Sequence, residues 1–286
     1  MKYANINIGI KITSVKLKIK KIKITTQLVL SILFSTCIII SIIGVGMWYL
    51  DSRQIDNEIE KINKVAKTTE LDDNESSQLI NPPSNQDSLY WKYTKIPLMD
   101  VDLKELEEIN SDTVGWIQVL GTNINYPFVQ SEDNSFYLNH SFSKKKNKAG
   151  WVFLDYRNNI KEIDKNNIIY AHSRVNTVLF STLKNIMKSN WHENFDNHII
   201  RVSTKHHNTM WQVFSVYQIP TSSDYLVIDF NDETTYSNFL SYLQNRSVFN
   251  FEVELSSKDK ILTLSTCNMP TQRVVMHAKL IKMEIK

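Results

Sequence analysis

The 286-residue chain is long enough for one or two domains, and its formal net charge of +3 is unevenly spread. Residues 1–27 hold seven lysines (Lys2, Lys11, Lys16, Lys18, Lys20, Lys21, Lys23) and no acid, so 3 − 7 leaves −4 for the remainder. The body of the chain is therefore not a polyanion binder, which argues against a nucleic-acid partner; the basic end suits a cytoplasmic segment lying against anionic lipid.

Residues 28–50 form an uncharged, mostly apolar run of 23 residues. At about 1.5 Å per residue it is long enough to cross a hydrocarbon core of about 30 Å. Trp48 and Tyr49 fall where an interfacial aromatic belt would lie, and the lysines before the run put the N-terminus in the cytoplasm. A cleaved signal peptide is the rival reading, but the apolar run is too long for an ordinary one. Cys37, inside the run, reads as filler. The expectation is a single-pass anchor with the bulk of the chain outside the cell.

Residues 51–67 place Ile55, Ile59, Ile62 and Ala66 at helical spacing, a weakly amphipathic stalk. Residues 68–88 are polar and contain Asn81-Pro82-Pro83-Ser84, which reads as a flexible linker. A folded domain is expected over 89–286, ample for one buried core. Asp102 with Glu105 resembles a capping box before a short helix. Short strand-like runs follow at 114–119, 124–129, 150–155, 167–172, 199–204, 210–219, 260–267 and 273–283, separated by turn signals such as Gly121-Thr122-Asn123. Helices are expected over 177–188 and 232–245, the second with Tyr236, Phe239, Leu240 and Leu243 on one face and Asp232 as its cap. Eight short strands with interposed helices suggest a mainly β barrel with helical additions; an α+β sheet is the alternative.

The last two strands carry the chemistry. Along 261–267 the side chains alternate: Leu262 and Leu264 take one face, and Thr263, Ser265 and Cys267 the other. Cys267 is the one thiol outside the apolar run, so it has no intrachain disulfide partner there. A lone thiol on a polar face is a candidate nucleophile; the competing reading is a half-buried cysteine acting as a small hydrophobe. On the returning strand Arg273, Val275, His277 and Lys279 share a face, which brings a guanidinium to the thiol's side. A thiolate that attacks a carbonyl, beside a fixed cation that stabilises the oxyanion, suits acyl transfer. Such a site also needs a proton donor for the leaving amine. His192 and His198 lack the spacing of a zinc-protease pair, no Cys/His ligand cluster is present, and His206 and His207 fall in a turn. His140 sits in a polar loop, His277 lies further along its strand, and His172 ends the apolar strand before it; spacing alone leaves the choice open.

Thr263-Leu264-Ser265-Thr266-Cys267, followed by Arg273 and an apolar strand, resembles the signature of the sortases. Tyr170-Ala171-His172-Ser173 resembles their histidine motif, with Ala171 where Gly is usual. Gly115-Trp116-Ile117, Thr122-Asn123-Ile124-Asn125-Tyr126-Pro127, the run 130–138, Asp155-Tyr156-Arg157-Asn158 and the helix at 232–245 resemble the class B branch in particular, although the interval from Cys267 to Arg273 is shorter than is usual there. The resemblance covers about residues 95–286. It implies an eight-stranded sortase barrel with added helices and a membrane-anchored cysteine transpeptidase on a Gram-positive surface. It implies Cys267 as nucleophile, His172 as general acid/base, Arg273 as substrate and oxyanion stabiliser, and Ser265 and Thr266 as lining of the substrate groove. It further implies a sorting motif of the Asn-Pro-x-Thr-x type on surface proteins, a peptidoglycan-precursor amine as acceptor, and no cofactor or metal. Two other functions fit the same residues: a surface cysteine peptidase with water as acceptor, and a non-catalytic surface-binding barrel.

Overall fold

The computed structural model describes residues 25–71, 76–173, 178–266 and 272–286. The chain divides into two compact units between Trp48 and Tyr49. Helix α1 (Thr26–Val65) starts in the first unit, where its side chains are exposed, and it is long and apolar enough to be a candidate membrane span.

In the second unit the elements run in order: β1 (Lys67–Leu71), β2 (Gln78–Leu79), α2 (Leu89–Tyr93), β3 (Leu98–Asp102), α3 (Lys104–Ile109), β4 (Thr113–Val119) and β5 (Asn125–Val129). After these come β6 (Phe153–Leu154), β7 (Asn166–Ala171), α4 (Ser189–Glu193), β8 (Ile199–Thr204), β9 (His207–Pro220), α5 (Glu233–Asn245), β10 (Ile261–Thr266) and β11 (Gln272–Ile285). Eight of these strands pair in the order β10-β7-β6-β5-β4-β8-β9-β11, and β11 pairs with β10 to close the ring. All eight expected strands are present, and the closed ring decides for the barrel over an open α+β sheet. Two register shifts in the long β9–β11 ladder, at His277/Ala278 and Leu280/Lys282, supply the extra twist that closure needs. The interior is apolar: Leu262 faces Phe128, Leu154, Ile169, Val202 and Trp211.

The stalk and flexible linker expected over 51–88 are corrected by the structure. Ile55 and Ile62 are buried in the main core, Ser141 donates to the Glu58 carboxylate (2.8 Å), and Asn147 donates to the Asp51 carbonyl (3.0 Å). β1 then pairs antiparallel with β3 over five residues, and β2 adds to the outer edge of β11. The reason is backbone demand. β11 and β3 offer unpaired edges, and a polar strand can satisfy them without burying any side chain of its own.

Two smaller expectations also shift. Asp102 ends β3, and its carboxylate accepts from Lys104 N (3.1 Å), but Glu105 turns to Lys67 (2.5 Å), so the reciprocal capping box does not form. The expected helix over 177–188 is a three-ten segment, Phe180–Met187, with Phe180, Ser181, Thr182, Leu183 and Ile186 all buried rather than one face of a regular helix. Helix α5 forms as expected: Asp232 accepts from Thr235 N (2.8 Å), and Tyr236, Leu240 and Leu243 are buried.

Candidate active site

β7 and β10 lie side by side and parallel, and their register holds to the last residue of each, Ala171 against Thr266. His172 follows the first and Cys267 the second in the chain. Cys267 and residues 268–271 lie outside the described residues. β11 returns beside β10: Ser265 pairs with Val275, and the Thr266 hydroxyl accepts from Val274 N (2.9 Å). Arg273, half-buried, donates from Nη1 to the Thr266 carbonyl (3.0 Å), which sets the guanidinium at the C-terminal end of β10. Two of the sequence-identified groups, an imidazole and a guanidinium, are thus held at the ends of strands flanking the one that leads into Cys267. Ala171 is fully buried and is not among the residues of positive φ, so its extended conformation makes no demand for glycine.

The strands are braced from below. Asp155 is fully buried and accepts from Arg157 Nε and Nη2 (2.8 Å each), Tyr170 OH (2.8 Å) and Asn134 Nδ2 (3.0 Å). Burial raises its carboxyl, but the bonds from Arg157 and Tyr170 and the guanidinium charge outweigh that and hold it below the usual carboxylate range. Tyr170 shares its strand face with His172, so this brace fixes the end of β7.

Ser265 and Thr266 are buried. The Ser265 hydroxyl meets Tyr225 OH at 2.8 Å. The polar face of β10 and β11 is not open to solvent. Thr263 and His277 are fully buried, Val275 with them, because the crossover 221–260, which contains α5, lies over that face. Thr263 bonds to Asn166 and His277, and His277 to Tyr217, so the polar side chains there satisfy one another. Among the other histidines considered, His140 stacks on Phe136, and His198 is buried against Tyr93 and Trp191. Among the described residues no group of three or more His, Cys, Asp or Glu side chains is placed to hold a metal ion.

Two contributors were not anticipated. His172 Nε2 lies 2.7 Å from the Leu138 carbonyl, and Gly150, at φ +63°, lies against the imidazole. A carbonyl leaves no trace in a side-chain reading. Gly150 carried a signal, as one of only six glycines in the chain and at the start of an expected strand.

Comparison with known proteins bears on this arrangement. A sortase domain family model matches residues 117–281. Sortase B of Staphylococcus aureus is 37% identical over 183 residues, covering 63% of this chain and 74% of that protein. A solved Staphylococcus aureus sortase B–substrate complex superposes with a TM-score of 0.59 at 37% identity, covering 63% of this chain and 84% of that one. A Bacillus anthracis sortase B, solved in complex with AAEK1, superposes with a TM-score of 0.64 at 28% identity, covering 83% of this chain and 99% of that one. With the family model over more than half of the chain and a sortase B relative at 37% identity, the chain belongs to the sortase family of cysteine transpeptidases, in its class B branch.

Proposed function

We propose that this enzyme cleaves a C-terminal sorting motif of the Asn-Pro-x-Thr-x type and joins the released carboxyl to a cell-wall amine on a peptidoglycan precursor. Cys267 attacks the threonine carbonyl, the thiol proton passing to His172. His172 then gives a proton to the departing amine, leaving a thioester on Cys267. Arg273 holds the substrate and stabilises the oxyanion. Ser265 and Thr266, both buried, back the groove from beneath the end of β10, where the Ser265–Tyr225 contact braces them. The acceptor amine attacks the thioester and restores the thiol.

The observation that carries this reading is the parallel β7–β10 register, which brings the residue before His172 level with the residue before Cys267, with Arg273, from β11 on the other side of β10, bonded to the Thr266 carbonyl. That the Staphylococcus aureus relative was solved as a sortase B–substrate complex supports a bound substrate in this barrel as well. We place residues 1–27 in the cytoplasm, 28–50 in the membrane and the catalytic domain outside, with 51–88 strapped to it. Substrate, lipid-linked acceptor and enzyme then share one membrane surface, which raises their effective concentration.

The test supplies the full chain with a sorting peptide and an amine and weighs the products. A ligated peptide–amine product, lost in His172→Ala and Arg273→Ala, supports transpeptidation. A product lengthened only by water, with the amine present in excess, makes the protein a hydrolase instead.

A further inference from the structure

Residues 137–151 form a strap that holds one atom against His172. Its two ends are tied together by the bond from Trp151 N to the Tyr137 carbonyl (2.9 Å). Tyr137 is buried and is clamped by its hydroxyl, which donates to Asp112 (2.7 Å) and accepts from Asn110 (2.9 Å). The Trp151 indole donates to the Pro127 carbonyl (2.9 Å). Within the strap, Asn147 N donates to the Asn139 carbonyl (2.8 Å) and Gly150 N to the Asn147 carbonyl (3.0 Å). Next to Tyr137, the Leu138 carbonyl is left directed at His172 Nε2, 2.7 Å away.

A carbonyl oxygen can only accept, so the bond requires a proton on Nε2. In the neutral ring the lone pair is then on Nδ1. Gly150 makes the approach feasible. Its φ of +63° lies in the left-handed region, and a Cβ there would strike the Tyr137 carbonyl oxygen and come within 3.0 Å of the Leu138 oxygen and 3.1 Å of His172 Cδ2.

We propose that Leu138 and Gly150 are positioning residues that fix the tautomer of His172, so that Nδ1 is the nitrogen that exchanges protons in the reaction. This rests on the acid/base role proposed above for His172. Nδ1 takes the thiol proton, giving thiolate and imidazolium, and returns that proton to the departing amine. The Nε2–H bond to Leu138 persists through both steps and strengthens while the ring is charged. The arrangement is the backbone counterpart of the acceptor that orients a catalytic imidazole in other nucleophilic enzymes.

The experiment uses the full chain in detergent micelles with ¹⁵N-labelled histidine, the His172 signals being assigned by their loss in His172→Gln. The expected spectrum of the neutral ring shows Nε2 protonated and Nδ1 bare. A ring protonated at Nδ1, or an averaged mixture of the two forms, overturns the proposal. In Gly150→Ala, kcat should fall on the order of tenfold to a hundredfold with KM little changed, because the ring is displaced while the peptide groove is not. Wild-type turnover in a folded Gly150→Ala protein also overturns it. Should that variant fail to fold, the wild-type tautomer alone decides. Retained turnover in His172→Ala would instead remove the acid/base role itself, whatever the tautomer.

Discussion

His277 has no exposed surface, and both its ring nitrogens are engaged. The Thr263 hydroxyl donates to Asn166 Oδ1 (2.6 Å), so it can only accept from His277 Nδ1–H (2.8 Å), and Nε2 accepts from Tyr217 OH (2.8 Å). A second proton, on Nε2, would displace the bond that Tyr217 OH donates. Burial first, and the nearby Arg246 charge second, push the ring down to about 3; burial likewise takes His198 down to about 4. Both would titrate near 6.5 once unfolded. Between the two values the unfolded chain binds more protons, so stability is full above about pH 6.5 and falls as pH drops toward these depressed values. The slope reaches about 1.4 kcal/mol per pH unit for each group. Thermal melts between pH 7 and pH 4.5 should show this fall, and His277→Gln should flatten it; an unchanged slope in the variant would contradict the assignment. Alternation along 261–266 correctly put Thr263 and Ser265 on one face, shared with Arg273 and His277. What covers that face comes from the crossover 221–260, whose Tyr225 meets Ser265 from 40 residues away in sequence, and strand periodicity holds no information about it. The Leu138 carbonyl was illegible for a related reason, since it acts through backbone, and Gly150 showed only as a scarce glycine at the start of an expected strand.

At the scale of elements, the eight barrel strands could be read because each buries at least one face and is bounded by turn residues. β6 shows the limit, since its apolar run 150–155 contributes only Phe153–Leu154 to the ladder. β1, β2 and β3 escaped notice. β1 is mostly exposed on both faces and is held by backbone bonds to β3, so it carries no alternation. The helical spacing of Ile55, Ile59 and Ile62 was legible, but its partner was not, and the segment looked like a stalk. Because Ile55 is fully buried in the barrel's core cluster, Ile55→Ala should cost about 2–4 kcal/mol of unfolding free energy. Urea denaturation of the full chain measures this. A loss below about 0.5 kcal/mol, the range expected of a surface position, would return the segment to a free stalk.

The whole chain joins a basic end, an apolar helix, an acidic stretch over 51–88 and a nearly neutral barrel domain, an order that supports the compartments proposed above. Its two cysteines report on the arrangement: Cys37 lies in the apolar helix and Cys267 in the catalytic domain. In intact cells a membrane-impermeant thiol reagent should modify Cys267 and leave Cys37 untouched; labelling of Cys267 only after lysis would place the domain inside. The central claim is that the Cys267 sulfur becomes the acyl carrier. Its most direct measurement is rapid acid quench of the full chain mixed with an Asn-Pro-x-Thr-x peptide, followed by intact mass and peptide mapping. The expected result is a hydroxylamine-sensitive adduct of the peptide's N-terminal fragment on Cys267, absent in Cys267→Ala. Peptide cleavage with no adduct on Cys267, or an adduct that persists in Cys267→Ala, would contradict it.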